Sequence, residues 1–365
     1  KTESAYVDQD QEIRLNPVTA MTTKAYSPVF GAIDGTTYPT TENFGVVAYW
    51  ANEPAGKKFD KNVTTYLGAQ GAVEFTNKGL YWGGTTTYYW PKNGSLRFAA
   101  YSPYRIGNTK VSHNIVGDIY TIDFEQSTEG DNTVDLLVAP TSESYTAETA
   151  AEKVSVVFEH TQSWITLKVK ATEAADGAFT LKNLKINNLY KAGTLTADML
   201  KGEQKWEYTG EANNTFVVFN GSQDVVTKVA TAENDKEQNG TLVLPQATTS
   251  VTVTFDQKAE GNIPALTDQV LEIPLVLDTE HTPWEAGKHY IYTLIFDRDE
   301  ILINPTVADW EEVYVNDVPA TDNEVATAEE FAAAVNNSSQ IRLVDDIELT
   351  TNFHLNSSLN IDLNG

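Results

Sequence analysis

The chain of 365 residues has no cysteine and only two methionines. Without thiols there is no disulfide framework, no thiolate-held zinc or iron–sulfur centre and no cysteine nucleophile. Basic residues are scarce: 25 Lys+Arg stand against 51 Asp+Glu, a formal net charge of −26. Such a surface repels phosphates and carries no Lys/Arg-rich patch, which argues against nucleic acid and anionic membranes as partners. It suits a soluble, self-repelling extracellular protein. No apolar run approaches the roughly 20 residues that cross a bilayer, so no transmembrane segment is expected. The five histidines (113, 160, 281, 289 and 354) are scattered, without metal-ligand spacing. Gly-x-Ser-x-Gly, His-Glu-x-x-His, P-loop and Gly-x-Gly-x-x-Gly motifs are all missing. Two acidic clusters, Asp8-Gln-Asp10-Gln-Glu12 and Asp297-Arg-Asp299-Glu300, lack the glycine and terminal glutamate of a calcium loop. The expectation is a non-enzyme with no catalytic residue, no metal and no cofactor.

What the chain does have is β texture. Apolar residues make up 41%, with 17 Tyr, 14 Phe and 7 Trp, enough to fill sizeable cores. Thr, Val, Tyr, Phe and Ile cluster in short runs separated by turn signals such as Asn93-Gly94, Asp176-Gly177, Asn220-Gly221 and Asn239-Gly240. Residues 154–156, 165–170 and 251–255 alternate polar and apolar side chains, the signature of a half-buried strand. His289-Tyr-Ile-Tyr-Thr-Leu-Ile-Phe296 is apolar on both faces and suits a central sandwich strand. Few stretches read as helix, which disfavours parallel βαβ folds. Trp164, Trp206, Trp284 and Trp310 are expected to anchor cores.

Four parts follow from the composition. Residues 1–24 form a polar N-terminal strand or leader segment. Residues 25–148 form a first β-sandwich, with a linker over 140–149. Residues 149–316 form a second. Residues 317–365 change character, with a capping box at Thr327-Ala-Glu-Glu330 and a short helix face of Phe331, Ala334 and Val335. Short alternating strands then recur (Ile341/Leu343, Ile347/Leu349, Phe353/Leu355, Leu359/Ile361/Leu363) and suggest the start of a β-solenoid. Starting at Lys1 without Met, the chain reads as processed or engineered. Its last residues, Asn364-Gly365, are a turn signal, so the natural protein is expected to continue or to be completed by another chain.

Two features point to binding. Residues 6–21 carry Ile13, Leu15 and Val18, which can plug an apolar groove as an exchangeable strand. The opposing reading is an ordinary first strand. Leu80-Tyr81-Trp82 and Tyr88-Tyr89-Trp90 flank a Gly/Thr turn like the arms of a hairpin. An aromatic face of Trp82, Tyr88 and Trp90 can stack on sugar rings. The opposing reading puts alternate members in the core.

A series of strings then resembles one family. Phe44-Gly-Val-Val-Ala-Tyr49 is similar to an early strand of the fimbrillin-like proteins of Bacteroidetes. Trp82, Tyr88-Tyr89-Trp90-Pro91 and Leu96-Arg-Phe98-Ala-Ala-Tyr101-Ser102-Pro103 resemble the next elements. Asp135-Leu-Leu-Val-Ala139, Val156-Val-Phe158-Glu-His160, Trp284-Glu-Ala-Gly287-Lys-His-Tyr290 and Val307-Ala-Asp309-Trp310 follow in the family's order. The resemblance implies an all-β chain of two tandem transthyretin-like β-sandwich domains, here with a short C-terminal helix and solenoid-like strands. It implies export as an outer-membrane lipoprotein to the cell surface, with the lipid on a Cys removed from this chain. It implies assembly into fimbriae (pili), with maturation after a basic residue that matches Lys24, where most members carry Arg. Partners would be other fimbrial subunits, or the chain itself by strand exchange, and host or microbial glycans or proteins. The alternative is a non-polymerising surface glycan-binding protein of a gut-type Bacteroidetes bacterium.

Overall fold

The computed structural model describes residues 7–19, 38–56, 64–104, 111–116, 119–139, 143–150, 153–198, 203–232, 240–261, 263–275, 283–298 and 301–309, with strands at 324–325, 340–343 and 360–362. Among these residues the protein is all-β. The only helical turns described are two of three residues each, Gly130–Asn132 and Glu173–Ala175. Contacts divide the chain into two compact units, Lys1–Val313 and Tyr314–Gly365.

The first unit begins with an eight-stranded sheet that closes on itself. Around the ring run Phe44–Ala51, Val73–Asn77, Trp82–Gly84, Leu15–Thr19, Val154–His160, Leu137–Ala139 and Ser95–Ser102. The last of these pairs back onto Phe44–Ala51. Thr64–Leu67 adds to the far half of that strand. Alternate side chains turn inward: Phe44, Val46, Ala48 and Trp50 meet Phe75, Phe98, Leu137 and Phe158 in one buried cluster. Val154–His160 lies beyond the 148/149 division expected from the linker, yet it belongs to this ring. Its strict alternation, with Val154, Val156 and Phe158 inside, supplies the buried face that the ring requires.

The Phe44–Ala51 strand is buried on both faces. On the outer one, Val47, Tyr49 and Ala51 join Ala99, Tyr101 and Val138 beneath a second, four-stranded sheet. That sheet contains Val111–Val116, Ile119–Glu125, Ala192–Asp198 and Glu203–Thr209, and its Ile122, Phe124, Leu195 and Ala197 complete the layer. Ile119–Glu125 pairs in antiparallel register with Ala192–Asp198. Residues on either side of position 148 therefore share main-chain hydrogen bonds. At the Asn93-Gly94 turn, Gly94 has φ +72°, and a Cβ there would sit 2.3 Å from the Ala51 carbonyl oxygen, so only glycine fits.

Two further sheets form a sandwich. One centres on Ser163–Ala171, parallel to Lys288–Phe296 and flanked by Ile301–Asp309, Ala230–Thr231 and Thr241–Val243. The other runs Asn214–Val225, Phe179–Leu189, Ser250–Gln257 and Leu266–Pro274. Their facing side chains enclose a core with Trp284, Tyr290, Tyr292 and Phe296 at its centre. Trp284 Nε1 donates to the Tyr292 hydroxyl at 2.8 Å, and the Glu285 N–H donates to the Tyr290 hydroxyl at 2.8 Å. Burial pushes the Tyr290 phenol up to about 12. The edge strand Leu266–Pro274 exposes Leu266, Val270 and Leu271. It also carries Asp268, at a positive φ of 50°, and Glu272, charges of the kind that discourage edge-to-edge pairing.

His289 lies flat on Trp164, ring centroids 3.5 Å apart and 3° from parallel, with its Nε2 2.8 Å from the Thr166 hydroxyl. Burial first, and nearby Lys168 second, lower its pKa to about 3. An unfolded histidine takes its proton near 6.5, so between these values the unfolded chain binds more protons. Stability must therefore fall as pH drops from about 6.5 towards 3, by up to about 1.4 kcal/mol per pH unit from this group. Urea unfolding at pH 6.5, 5.5 and 4.5 should show a His289→Phe variant losing about one proton's worth less slope than the parent. Equal slopes would remove His289 as a source.

In the second unit, Glu324–Val325, Gln340–Leu343 and Asn360–Asp362 form a parallel three-stranded sheet. Glu324 pairs with Arg342 and Ile341 with Ile361, offsets of 18 and 20 residues. Parallel neighbours need a long crossover, which these spacings provide. The capping box, the Phe331/Ala334/Val335 helix face and the strand residues 347–359 lie outside the described residues.

Candidate strand-exchange site

The N-terminal residues enter the fold as two strands. Val7–Glu12 pairs with Tyr89–Pro91, and Leu15–Thr19 completes the closed sheet. Between them the Ile13 N–H donates to the Tyr88 carbonyl at 2.8 Å, and the Val154 N–H donates to the Arg14 carbonyl at 2.9 Å. Alternation then sends Ile13, Leu15 and Pro17 into the protein and leaves Arg14, Asn16 and Val18 outside. Ile13 and Leu15 are 1% and 0% exposed, in the same cluster as Phe44, Trp82 and Phe158. Tyr38 closes the floor of this groove. Its ring stacks on Phe158 at 5.3 Å and meets Phe44 and Trp82 edge-on, and its hydroxyl shares a 2.6 Å hydrogen bond with Ser102. Burial raises the Tyr38 phenol far above its ordinary range.

Val18 is not the third inward residue. It is half-buried on the outer face beside Val157, itself 48% exposed, and Pro17 takes the buried position. A period of two counted from Ile13 leads to residue 17, whereas hydrophobicity alone favours the valine. Lys24, the expected cleavage point, lies outside the described residues. Tyr38 carried no sequence signal beyond being one aromatic among many.

The hold on Leu15–Thr19 is uneven. On one side it runs parallel to Val154–Phe158 through five paired positions. On the other it pairs with Trp82–Gly84 at a single position, Leu15 with Trp82. Pro17 has no N–H to donate, which weakens the ladder further. Outside, the Tyr81 hydroxyl donates to Glu12 Oε2 at 2.9 Å, and Arg14 lies over the Tyr81 ring at 4.7 Å while reaching the same carboxylate at 3.4 Å. This ion pair is exposed and contributes at most about 1 kcal/mol.

The wall that receives the strand is held far more firmly. His160 Nδ1 sits 3.0 Å from Asp135 Oδ2 and 3.1 Å from Oδ1, both side chains buried. The Thr161 hydroxyl donates to the Leu136 carbonyl at 2.6 Å, and the Leu136 N–H donates to Gln162 Oε1 at 2.7 Å. Trp206 Nε1 donates to the Thr161 carbonyl at 2.7 Å. Two of the strings singled out in the sequence, those ending at Ala139 and His160, thus meet through Asp135 and His160.

The aromatic pair of strings has the core orientation. Trp82 and Trp90 are 8% and 3% exposed, Trp90 meets Phe98 edge-on at 5.9 Å, and Tyr88 stacks on Phe75 at 6.1 Å. Of the two readings of Trp82, Tyr88 and Trp90, sugar stacking or core, the burial of both tryptophans and the half-buried Tyr88 favour the core. Their alternation points the rings at the ring-sheet interior, which is where their burial stabilises the fold. Among the described residues, no group of three or more His, Asp or Glu side chains is placed to hold a metal. No described helix is long and apolar enough to cross a membrane.

This architecture is shared with solved proteins of Bacteroides. A fimbrial protein from Bacteroides vulgatus ATCC 8482 superposes with a TM-score of 0.59 at 17% identity, covering 81% of this chain and 99% of that one. A candidate cell adhesion protein from Bacteroides uniformis ATCC 8492 gives 0.52 at 20% identity over 82% and 100%. Another from Bacteroides ovatus ATCC 8483 gives 0.51 at 15% over 84% and 99%. No curated protein matches the sequence. The fimbrillin-like family model matches residues 20–310, and the chain belongs to that family.

Proposed function

We propose that the protein is a non-enzymatic fimbrial or adhesin subunit of the cell surface that assembles by β-strand addition. Membership of the fimbrillin-like family supports the fimbrial or adhesive role and association with other subunits. One observation carries the assembly step: the closed sheet is closed by Leu15–Thr19 itself. While that strand is in place, the ring is continuous through it, and Thr64–Leu67 is left as a four-residue edge strand. Once it leaves, Val154–His160 and Trp82–Gly84 present unpaired backbone beside the apolar slots of Ile13, Leu15 and Pro17. An extended segment of another subunit, apolar at alternate positions, refills the slot. Cleavage at Lys24 would release the strand.

The same reading takes in the transthyretin-like topology of the sandwiches within 25–148 and 149–316, and a lipid anchor at the outer membrane on a leader cysteine. It also takes in a capping helix and solenoid coils in 317–365. These rest on the family resemblance.

The test is limited trypsin treatment followed by light scattering and addition of a labelled peptide spanning residues 6–21. The intact chain should stay monomeric and ignore the peptide. Chain cut near Lys24 should oligomerise or capture it, and a peptide with Leu15→Asp should fail to compete. A cut chain that remains monomeric and binds neither peptide would overturn strand addition.

A further inference from the structure

A second surface, far in sequence from the N-terminal strand, has the makings of a ligand site. Tyr190 and Tyr208 stack with ring centroids 4.7 Å apart and 13° from parallel. Together with Gln246, Ala247, Thr248 and Pro283 they line an open cleft of about 540 Å³. Tyr208 keeps 41% of its surface in solvent, so part of its ring is open to a ligand.

The platform is braced from behind. Gln246, 6% exposed, accepts from the Tyr190 N–H through Oε1 at 2.8 Å and donates through Nε2 to the Tyr190 carbonyl at 3.1 Å and the Leu244 carbonyl at 3.0 Å. Its own carbonyl accepts the Trp284 N–H at 2.9 Å, which ties the bracket to the sandwich core. The Tyr208 hydroxyl donates to the Pro245 carbonyl. The Tyr190 main chain and the Tyr208 ring are thus held before any ligand arrives, and each ring supports the other by stacking, which limits the ordering entropy lost on binding.

The chemistry of the lining selects the class. Stacked aromatic rings present an apolar π surface that matches the C–H face of a pyranose, while the Tyr190 and Thr248 hydroxyls can meet ring hydroxyls. None of the six lining residues is charged. The rest of the molecule carries a net charge of −26, which disfavours sialylated or sulfated glycans. We infer that the Tyr190–Tyr208 cleft binds a neutral hexose oligosaccharide. This supplies an adhesive ligand without involving the N-terminal strand, so it is testable on the intact monomer and stands or falls apart from strand addition.

The experiment is an array of neutral hexose oligosaccharides, their sialylated counterparts and unglycosylated peptides, probed with the full chain. The parent protein should retain neutral oligosaccharides selectively. Tyr208→Ala should lower that affinity by about tenfold, the scale of one lost stacking contact. Ala247→Glu, on an exposed position, should do likewise by placing a charge in the cleft, and Tyr208→Phe, which keeps the ring and gives up only its hydrogen bond to Pro245, should lose less than Tyr208→Ala. Circular dichroism and unfolding midpoints would establish that both weakened variants are folded. No retention by the parent protein, unchanged binding in the two folded variants, preference for sialylated forms, or capture of peptides instead would each overturn the assignment.

Discussion

Replacing Leu15 by Ala is expected to lower the unfolding free energy by about 2–5 kcal/mol, the usual range for a truncated core leucine whose site cannot collapse. Leu15 is 0% exposed and sits where three other strands of the ring converge through Trp82, Phe44 and Phe158. The void would open between rings already locked by their own stacking, with Tyr38 pinned to Ser102. Ile13→Ala should behave alike. Val18→Ala, on the outer face, should cost less than about 0.5 kcal/mol, as surface changes do. Urea unfolding with an unchanged m-value measures all three. Should Val18→Ala prove as costly as Leu15→Ala, the register of this strand is wrong. The same substitution has a functional side. A weaker plug lowers the barrier to opening, so Leu15→Ala should exchange with the 6–21 peptide after cleavage faster than the parent chain.

Breaking the buried Asp135–His160 hydrogen bond should also be damaging. His160→Ala strips a buried carboxylate of its imidazole hydrogen-bond partner, and leaving a buried polar group short of a partner costs about 1–3 kcal/mol, more for a charged one. Asp135→Asn keeps the shape and a hydrogen-bond acceptor and should cost less. In a double-mutant cycle, Asp135→Ala and His160→Ala together should fall well short of the summed single losses, because the second change removes the charge that the first left behind. Additive losses would show that the pair contributes nothing as a pair. The cycle also reads on function. His160 ends the strand that receives the N-terminal segment, so its loss should loosen the receiving wall and reduce peptide capture even where the chain remains folded.

The contrast between wall and plug explains what could be read from the chain and what could not. Strands such as Val154–His160 and Ser250–Gln257 were legible because the pleat imposes a period of two on each residue run, and Lys288–Phe296 because its run is apolar on both faces, both local properties. The N-terminal segment was legible as a strand for the same reason, with Ile13 and Leu15 marked by hydrophobicity. Pro17 was not, since a proline does not announce itself as a core residue. The direction of the Trp82/Tyr88/Trp90 face was not either: alternation allows two phases, and only the packing of Phe75, Phe98 and Trp90 chooses between them.

By itself, then, the order of residues determined the β content, the thiol-free chemistry, the acidic surface and the strings shared with the fimbrillin-like family. Tertiary structure alone decided that Leu15–Thr19 lies beside Val154–His160, that the ring closes through it, and that strands from both sides of residue 148 join one sheet. It alone stacked Tyr190 on Tyr208, and it alone brought Asp135 to His160. The reason is that main-chain hydrogen bonds are the same for every strand, so the choice of neighbour is made by side-chain packing between residues distant along the chain.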